Sequence, residues 1–364
     1  MPISQELSDA QCEERIIAAK AKLGKRLVIL GHHYQREEVF KHADYAGDSL
    51  KLSRQAGQSG AEYIIFCGVH FMAEVADILS TPEQIAILPD LAAGCSMADM
   101  ASLDKVERAW QELSTMLNPD ESVTPVTYIN SAANLKAFCG RHGGIVCTSS
   151  NARKVLEWSF KQREKVLFFP DQHLGRNTGY AMGIPLEEMV IWDFDQPNGG
   201  LTKQQIQAAK IILWDGFCSV HQQFQPEHID QYRATYPEGK VISHPEAPFE
   251  VCQKSDVVGS TEVIIQTVKK SQVGSRWLVG TEVNLVDRLA KQSKIEGKFV
   301  HYMAPVVCMC STMYRIDPQH LLWVLENLVA GTVVNQIKVN PKDAEQARLA
   351  LERMLEVSGS MPLS

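Results

Sequence analysis

Three cysteines lie where they could bind one metal centre. Cys95, Cys218 and Cys310 each follow an apolar, strand-like segment and precede a turn in the chain. Because the carboxyl ends of parallel strands meet at one edge of a sheet, repeated units of this kind can bring their thiols to a shared centre. Three inward-facing thiolates are typical ligands of a metal ion or an iron–sulfur cluster.

The spacing of these cysteines favours a cluster over zinc. Structural zinc sites usually contain two pairs of closely spaced cysteines, and the sequence does not contain two such pairs. Three single thiolates from distant segments suit an iron–sulfur cluster that lacks a fourth protein ligand. One iron would then be open to substrate and act as a Lewis acid, as a dehydration requires.

A single cysteine is more often a small buried hydrophobe than a ligand. We expect this role for Cys12, Cys139 and Cys252, which fall inside predicted helices. Cys67 and Cys147 also end strand-like segments, so position alone does not select three ligands. The proposed trio is favoured because its members close successive repeats at comparable points.

Candidate acid–base groups gather at the same strand ends. His32, Tyr34 and His244 follow predicted strands, and His221 lies three residues after a proposed ligand. A single histidine is more often a packing or capping residue, but the convergence of these groups favours proton transfer. Glu246 lies two residues after His244 and is a candidate general base, provided that burial raises its pKa.

Hydroxyl and amide side chains at predicted helix starts form a third group. They are Ser49, Ser131, Ser149, Ser150, Asn151, Ser260 and Thr261. Free backbone N–H groups at helix N-termini bind phosphate and carboxylate, so several helix starts at one centre would form an anion-binding cavity. For any one of these residues, plain N-capping is the simpler interpretation.

A repeated pattern of strands and helices must position these groups. Short apolar segments followed by helical segments predict buried parallel strands of an α/β fold. Three such sets, each closed by a cysteine, predict internal triplication with pseudo-threefold symmetry. The sets are unequal, with 123 residues from Cys95 to Cys218 and 92 from Cys218 to Cys310. We assign the excess to a surface insertion between Gly175 and Gly200.

Helices are predicted at both ends of the chain. A capping-box pattern at Ser8 begins the first helix, which Gly24 ends. Two C-terminal helices begin with Pro318 and Pro341, and a short strand is predicted between them at residues 333–339. We expect these C-terminal elements to pack on the first unit.

Composition argues against several classes of protein. The chain has 364 residues, of which 45% are hydrophobic and 22% charged, as is typical of a globular protein of two or three domains. A net charge of −7 argues against nucleic acid or an anionic membrane as the main partner. Without a signal-peptide or membrane-spanning pattern, we expect a cytoplasmic protein with reduced cysteines.

Several motifs together resemble one known family. They are LGHHYQ at residues 30–35, GDSL at 47–50, FCGVHFMAE at 66–74, AGCSMAD at 93–99, YIN at 128–130, WDGFCSVH at 214–221, HPE at 244–246 and CSTM at 310–313. In type and order they are similar to the motifs of quinolinate synthases, over nearly the whole chain.

The resemblance implies a fold and a cofactor. The fold would have three homologous αβα domains, with short parallel sheets arranged with pseudo-threefold symmetry around a central 4Fe–4S cluster. The domains would cover residues 1–98 with the C-terminal helices at 316–358, then residues 99–218 and residues 219–315. Cys95, Cys218 and Cys310 would hold the cluster.

The resemblance also implies an activity. Quinolinate synthases are transferases that condense iminoaspartate with dihydroxyacetone phosphate to form quinolinate, phosphate and water on the de novo route to NAD. L-aspartate oxidase would be a functional partner that supplies iminoaspartate. Tyr34 matches the catalytic tyrosine, and we expect His32, His221, His244 and Glu246 to act with it. The substrate-binding positions would be His32, Ser49, Tyr128, Asn130, Ser149, His244, Glu246 and Thr261, to which we add Ser260.

Some positions depart from the family's common residues. His33 replaces a common asparagine, Gly31 a common alanine and Ser311 a common proline. Cys308 lies two residues before Cys310, which leaves two candidates for the third ligand. Cys310 is favoured because it begins a Cys-x-x-Met pattern that matches the family's final motif.

The sequence leaves two alternative functions to consider. A metal-free sugar-phosphate aldolase or isomerase would need a catalytic lysine at a strand end, and the strand ends above carry none. An iron–sulfur sensor protein would need a basic nucleic-acid surface or a separate recognition helix, which the acidic balance disfavours.

Overall fold

Three parallel β-sheets follow one another along the chain in a computed structural model, which describes residues 7–307 and 309–359. The first sheet contains β1 (Leu27–His32), β2 (Tyr45–Gly47), β3 (Tyr63–Cys67) and β4 (Ile85–Ile87). The second contains β5 (Val123–Tyr128), β6 (Ile145–Cys147), β7 (Lys165–Phe169), β8 (Met189–Trp192) and β9 (Ile211–Trp214). The third contains β10 (Lys240–Ser243), β11 (Val257–Val258), β12 (Arg276–Gly280) and β13 (Phe299–Tyr302).

The first three strands have the same order in all three sheets. In each sheet the first strand along the chain lies between the second and the third, in the orders β2-β1-β3-β4, β6-β5-β7-β9-β8 and β11-β10-β12-β13. All pairs within the sheets are parallel. The predicted α/β class with three short parallel sheets is confirmed. The exact domain boundaries and the pseudo-threefold axis stay predictions.

Helices connect and cover these strands. They are α1 (Asp9–Leu23), α2 (Glu37–Phe40), α3 (Ser49–Gln58), α4 (His70–Leu79), α5 (Ser96–Asp99), α6 (Leu103–Ser114), α7 (Pro119–Ser122), α8 (Ala133–Arg141), α9 (Ala152–Gln162), α10 (Gln172–Ala181), α11 (Lys203–Ala208), α12 (Pro226–Thr235), α13 (Phe249–Lys254), α14 (Thr261–Lys270), α15 (Val283–Ile295), α16 (Ser311–Tyr314), α17 (Pro318–Val329) and α18 (Pro341–Val357). Short 3₁₀ turns occur at Gly24–Arg26, Leu186–Glu188, Pro197–Gly200 and His221–Gln223. No helix within the described residues is long and apolar enough to cross a membrane.

Local sequence explains where these elements begin and why they are buried. The capping box predicted for α1 is present, since Ser8 and Gln11 bond each other's backbone N–H, and Gly24 ends the helix. Every residue of β1, β3, β5, β7 and β9 is buried, as expected for strands covered on both faces. One large apolar core joins the first two sheets and the C-terminal helices, and two smaller clusters pack around the third sheet.

The predicted surface insertion between Gly175 and Gly200 is wrong in large part. Gly175 lies inside α10, which packs on β7 and β9, and β8 adds an edge strand to the second sheet. A Cβ at Gly175 would overlap Leu213 and Phe168, so glycine is what lets α10 approach the sheet.

Two predictions for the C-terminal region also need correction. The strand expected at residues 333–339 is reduced to one isolated antiparallel bridge between Ile87 and Gln336. Of the two C-terminal helices, α17 packs against α1 as expected, whereas α18 packs chiefly against α8 and β6 of the second sheet's region. Gly140 permits this packing, because a Cβ there would overlap the Gln346 carbonyl oxygen.

Candidate active site

One cavity is lined by loops from all three sheets. The end of β1 contributes His32 and Tyr34, the segment after β5 contributes Asn130, and the loop after β10 contributes His244 and Glu246. The carboxyl ends of the first strand of each sheet therefore meet at one place, which is where open α/β folds bind ligands.

The three predicted ligand cysteines line this same cavity. Cys95 is the N-cap residue of α5, Cys310 is the N-cap residue of α16, and Cys218 follows the turn after β9. Of the eight cysteines that the structure describes, these three are partly exposed and the other five are buried. Cys308 lies outside the described residues. The structure thus brings together the thiols of three distant segments.

The surroundings of these thiols suit a positively charged centre. Burial, together with the neighbouring Cys310 thiol, raises the pKa of Cys95 to about 12, and burial also raises the pKa of Cys218 and of Cys310. No lysine or arginine is found among the described residues that line the cavity, so three thiolates here need a metal centre to balance their charge. The donor set fits an iron–sulfur cluster with one iron open.

A further group of potential ligand atoms lies beside the thiols. Cys218, His221 and Glu246 each place one such atom within 4.8 Å of the others. Both ring nitrogens of His221 face hydrogen-bonding groups, however, since Nδ1 lies 3.0 Å from Glu246 Oε2 and Nε2 lies 3.3 Å from Thr281 Oγ1. We therefore place His221 in a hydrogen-bonded network.

This network crosses the cavity from one tyrosine to another. The Tyr34 hydroxyl lies 2.8 Å from Thr281 Oγ1, and Thr281 in turn contacts His221. His221 contacts Glu246, whose Oε1 accepts a 2.5 Å hydrogen bond from the Tyr128 hydroxyl. Three of the four neighbouring pairs are hydrogen-bonded, and the fourth pair, His221 Nδ1 and Glu246 Oε2, is 3.0 Å apart without hydrogen-bond geometry.

The ionisation of Glu246 differs from the prediction. Burial acts to raise the pKa of Glu246, but His221 and His244 beside the carboxylate and the Tyr128 hydrogen bond outweigh it and lower the pKa to about 2. The condition set for Glu246 as a general base, a pKa raised by burial, is therefore not met. The physical reason is that a carboxylate held by several donors is more stable in its charged form.

The other polar groups at the strand ends are neutral near pH 7. Burial lowers the pKa of His32 and of His244 to about 3 in each case. Burial and the Glu246 carboxylate raise the pKa of Tyr34 well above its usual value. His32 Nδ1 accepts a 3.1 Å hydrogen bond from the Tyr34 backbone N–H, so the ring proton of neutral His32 is on Nε2.

Only part of the predicted helix-start group reaches the cavity. Ser49 at the start of α3, Thr261 at the start of α14, and Ser149 line it, together with Asn130 and Tyr128. Thr261 Oγ1 also lies 3.2 Å from the Tyr34 hydroxyl.

The remaining members of the group lie outside the lining. Ser131 Oγ donates to the Tyr128 carbonyl, Ser150 Oγ donates to Asp48 Oδ2, and Asn151 Oδ1 accepts from the Thr148 backbone N–H. For these three residues a capping or packing interpretation accounts for the contacts seen. Ser260 is the buried N-cap residue of α14, and its side chain makes no capping hydrogen bond.

Sequence reasoning missed three polar residues of the site. Thr281 is fully buried between Tyr34 and His221, and its position directly after β12 was the available signal. Glu282 lines the cavity, burial raises its pKa to about 7, and one oxygen faces the Cys310 backbone N–H at 3.4 Å. Asp171 is buried behind the cavity, and burial and Glu246 raise its pKa well above the usual value.

The chain is similar to one family of proteins along almost its full length. Residues 14–356 match the family model described as "Quinolinate synthetase A protein". A protein of Acidobacterium capsulatum named "Quinolinate synthase" is 56% identical over 353 residues, which cover 97% of this chain and 95% of the relative. A protein of Corynebacterium glutamicum with the same name is 54% identical over 99% of this chain and 91% of its own length. The chain therefore belongs to the quinolinate synthetase A protein family.

Proposed function

We propose that this protein is a transferase that condenses iminoaspartate with dihydroxyacetone phosphate to form quinolinate, with release of phosphate and water, on the de novo route to NAD. One observation carries the proposal. Three thiols suited to a cluster line the same cavity as Tyr34, His221 and Glu246, and Thr281 behind the lining contacts both Tyr34 and His221. The names of relatives more than half identical to this chain support the same reaction.

We propose a 4Fe–4S cluster as the resident cofactor, held by Cys95, Cys218 and Cys310. When bound, it would supply one iron with an open coordination position that acts as a Lewis acid on an oxygen of the substrate. The lack of cationic side chains among the described cavity residues supports this assignment.

The helix starts at the cavity would bind the anionic groups of both substrates. The first residues of α3 and α14, Ser49 and Thr261, line the cavity, and Ser149 lies just before α9. Their hydroxyls, with the free backbone N–H groups of the helix N-termini, are suitable donors for a phosphate or carboxylate. Asn130 adds an amide from a different sheet.

The network would move the protons that condensation and dehydration require. Since Glu246 is ionised and lies 3.0 Å from His221 Nδ1, it favours the tautomer of His221 with the proton on Nδ1, which leaves the Nε2 lone pair facing the Thr281 hydroxyl. Thr281 then donates to His221 and accepts from Tyr34. Tyr34 is in this way able to pass its proton toward the His221–Glu246 pair and to return it in a later step.

The neutral histidines would orient the substrates. His32 carries its ring proton on Nε2 and can donate a hydrogen bond into the cavity without adding a charge. His244 stacks on His221 with ring centroids 4.7 Å apart and lies 3.7 Å from Glu246 Oε1, so it fixes the His221 ring. Tyr128 holds the second oxygen of Glu246.

The aldolase alternative is not favoured. Covalent aldolases form a Schiff base with a lysine, and the described residues that line the cavity include none. The sensor alternative would leave the Tyr34–Glu246 network without a role.

An anaerobic assay tests the proposal. Purified protein with its iron reconstituted should form quinolinate from iminoaspartate and dihydroxyacetone phosphate, and L-aspartate oxidase with L-aspartate should replace added iminoaspartate. The same preparation should be brown, with about four irons and four sulfides per chain. Colourless, inactive protein after reconstitution would exclude both the cofactor and the reaction.

A further inference from the structure

One buried amide bonds the backbone on both sides of Glu246. Asn177 lies in α10, after the third strand of the second sheet, whereas Glu246 follows the first strand of the third sheet. Asn177 Nδ2 donates to the carbonyl oxygens of Pro245 and Ala247, each at 2.9 Å. Only 6% of the Asn177 residue surface is exposed. The two carbonyls that flank Glu246 are therefore held by one side chain from another sheet.

The orientation of this amide is fixed by its partners. If the side chain were turned over, Asn177 Oδ1 would face two carbonyl oxygens, which is repulsive. The helix that carries it is itself anchored, since Asp171 Oδ1 caps α10 by accepting from the Leu174 N–H at 2.7 Å. Asn177 is thus a rigid donor placed against the loop of His244 to Ala247.

The same kind of contact links the third sheet to the first. Arg288 in α15, the helix after β12, donates to the carbonyl oxygens of His33 and Gln35, the latter at 2.7 Å. Asn284, one turn earlier, donates to the Tyr34 carbonyl at 3.3 Å. Three successive carbonyls around the catalytic tyrosine are therefore bonded by one helix.

A third contact of this kind joins the helix after the third strand of the first sheet to the segment after the first strand of the second sheet. Glu74 in α4, the helix after β3, accepts from the Ala133 N–H at 3.0 Å, where the segment after β5 enters α8. Glu74, Asn177 and Arg288 lie seven or eight residues after the last residue of the third strand of their sheets. Their equivalent placement on three sheets whose first three strands have the same order is hard to explain by chance.

We infer that the helix after the third strand of each sheet positions the loop after the first strand of the next sheet, and that Asn177 positions Glu246 in this way. Asn177 does not line the central cavity in the described structure, so it acts through the loop and does not touch substrate. The catalytic consequence rests on the proposed role of Glu246. A displacement of about 1 Å in such a group can cost on the order of 100-fold in rate.

Asn177→Leu is the sharpest test, because leucine has nearly the shape of asparagine and carries neither the amide donor nor a charge. We expect kcat for quinolinate formation to fall on the order of 100-fold while KM changes less than about threefold, since the geometry of proton transfer is altered and the substrate contacts are kept. Thr178→Val is the matched control, because Thr178 lies next along the same helix and lines the same neighbouring cavity as Asn177.

Amide hydrogen exchange gives a second measurement that needs no turnover. Peptides that cover residues 244–247 should exchange at least several-fold faster in Asn177→Leu than in the parent and in Thr178→Val, while peptides from β7 and β9 should be unchanged. A parent that forms no quinolinate would refute the proposed function, yet the exchange result would still decide the positioning role. Unchanged exchange in this loop, or unchanged kcat in an active background, would overturn the inference.

Discussion

At the scale of single residues, Thr281 connects the two halves of the proton-transfer network. Its hydroxyl lies 2.8 Å from the Tyr34 hydroxyl and 3.3 Å from His221 Nε2, and the residue is fully buried. We expect Thr281→Val, which keeps the shape but removes the hydroxyl, to lower kcat on the order of 100-fold. Thr281→Ser should stay within a few-fold of the parent. Equal rates for the two variants in the quinolinate assay would show that the hydroxyl has no part in the reaction.

The third cluster ligand gives a second prediction at this scale. Cys310 lines the cavity with Cys95 and Cys218, and its side chain lies at the N-cap of α16. We expect Cys310→Ser to lose the brown colour and the bound iron, because a cluster with two thiolates is weakly held. Cys308→Ser should keep both. Iron content and visible absorbance after anaerobic reconstitution distinguish the two variants, and the reverse result would reassign the ligand.

Sequence reasoning found the residues that follow strands but not those that act between sheets. His32, Tyr34, His244 and Cys218 were predicted because the carboxyl end of a parallel strand is recognisable from a short apolar segment. Asn177 carries no such signal, since a single amide inside a helix has the same local sequence whether it faces solvent or a loop of another sheet. Its partners are about 70 residues away along the chain.

At the scale of elements, the packing of α8 on α18 depends on a glycine. A Cβ at Gly140 would overlap the carbonyl oxygen of Gln346, which is backbone and cannot turn aside. Helix propensity alone predicts that Gly140→Ala stabilises the protein by roughly 1 kcal/mol. We expect the opposite, a loss of roughly 1 to 3 kcal/mol, because the two helices must separate.

Urea unfolding followed by circular dichroism measures this effect. Gly60→Ala is the control, because no heavy atom lies within 4 Å of a Cβ built at Gly60. The midpoint should fall for Gly140→Ala and stay nearly constant for Gly60→Ala. A midpoint that rises for Gly140→Ala would mean that the contact between α8 and α18 is loose.

Helices and strands were predicted well where the local sequence determines the secondary structure, and poorly where contacts with distant parts of the chain determine it. The capping box of α1 and the prolines that begin α17 and α18 act within a few residues, and all three helices are confirmed. Residues 333–339 have a strand-like composition but find only one bridge, to β4. The interval that contains α10 and β8 looked like a loop because glycine and proline are frequent there, although Gly175, Gly179 and Gly199 serve close packing.

At the scale of the whole molecule, packing of the three sheets around one cavity buries ionisable side chains that lie at the end of a strand in each separate sheet. His32 comes from the first sheet and His244 from the third, and both are almost fully buried beside the same cavity. Burial lowers the pKa of each to about 3. Assembly of the site therefore makes the stability of the fold depend on pH.

Because burial lowers the pKa of both histidines, the fold should lose stability as the pH falls. In the unfolded chain these histidines take up protons below about pH 6.5, whereas in the folded protein they stay neutral until about pH 3. Stability is therefore fully present above about pH 6.5 and is lost as the pH falls. Between pH 7.5 and 5.5 we expect each histidine to remove roughly 1 kcal/mol from the free energy of unfolding.

Urea midpoints of the parent and of His244→Asn at the two pH values measure this contribution. The parent should lose more stability than His244→Asn on acidification, because the variant lacks one group that is protonated only on unfolding. His228→Asn, at a partly exposed position on α12, is the control and should follow the parent. If the parent and His244→Asn lost stability equally, His244 would already be charged or exposed in the folded protein, and a neutral His244 ring stacked on His221 could not be what fixes the His221 ring.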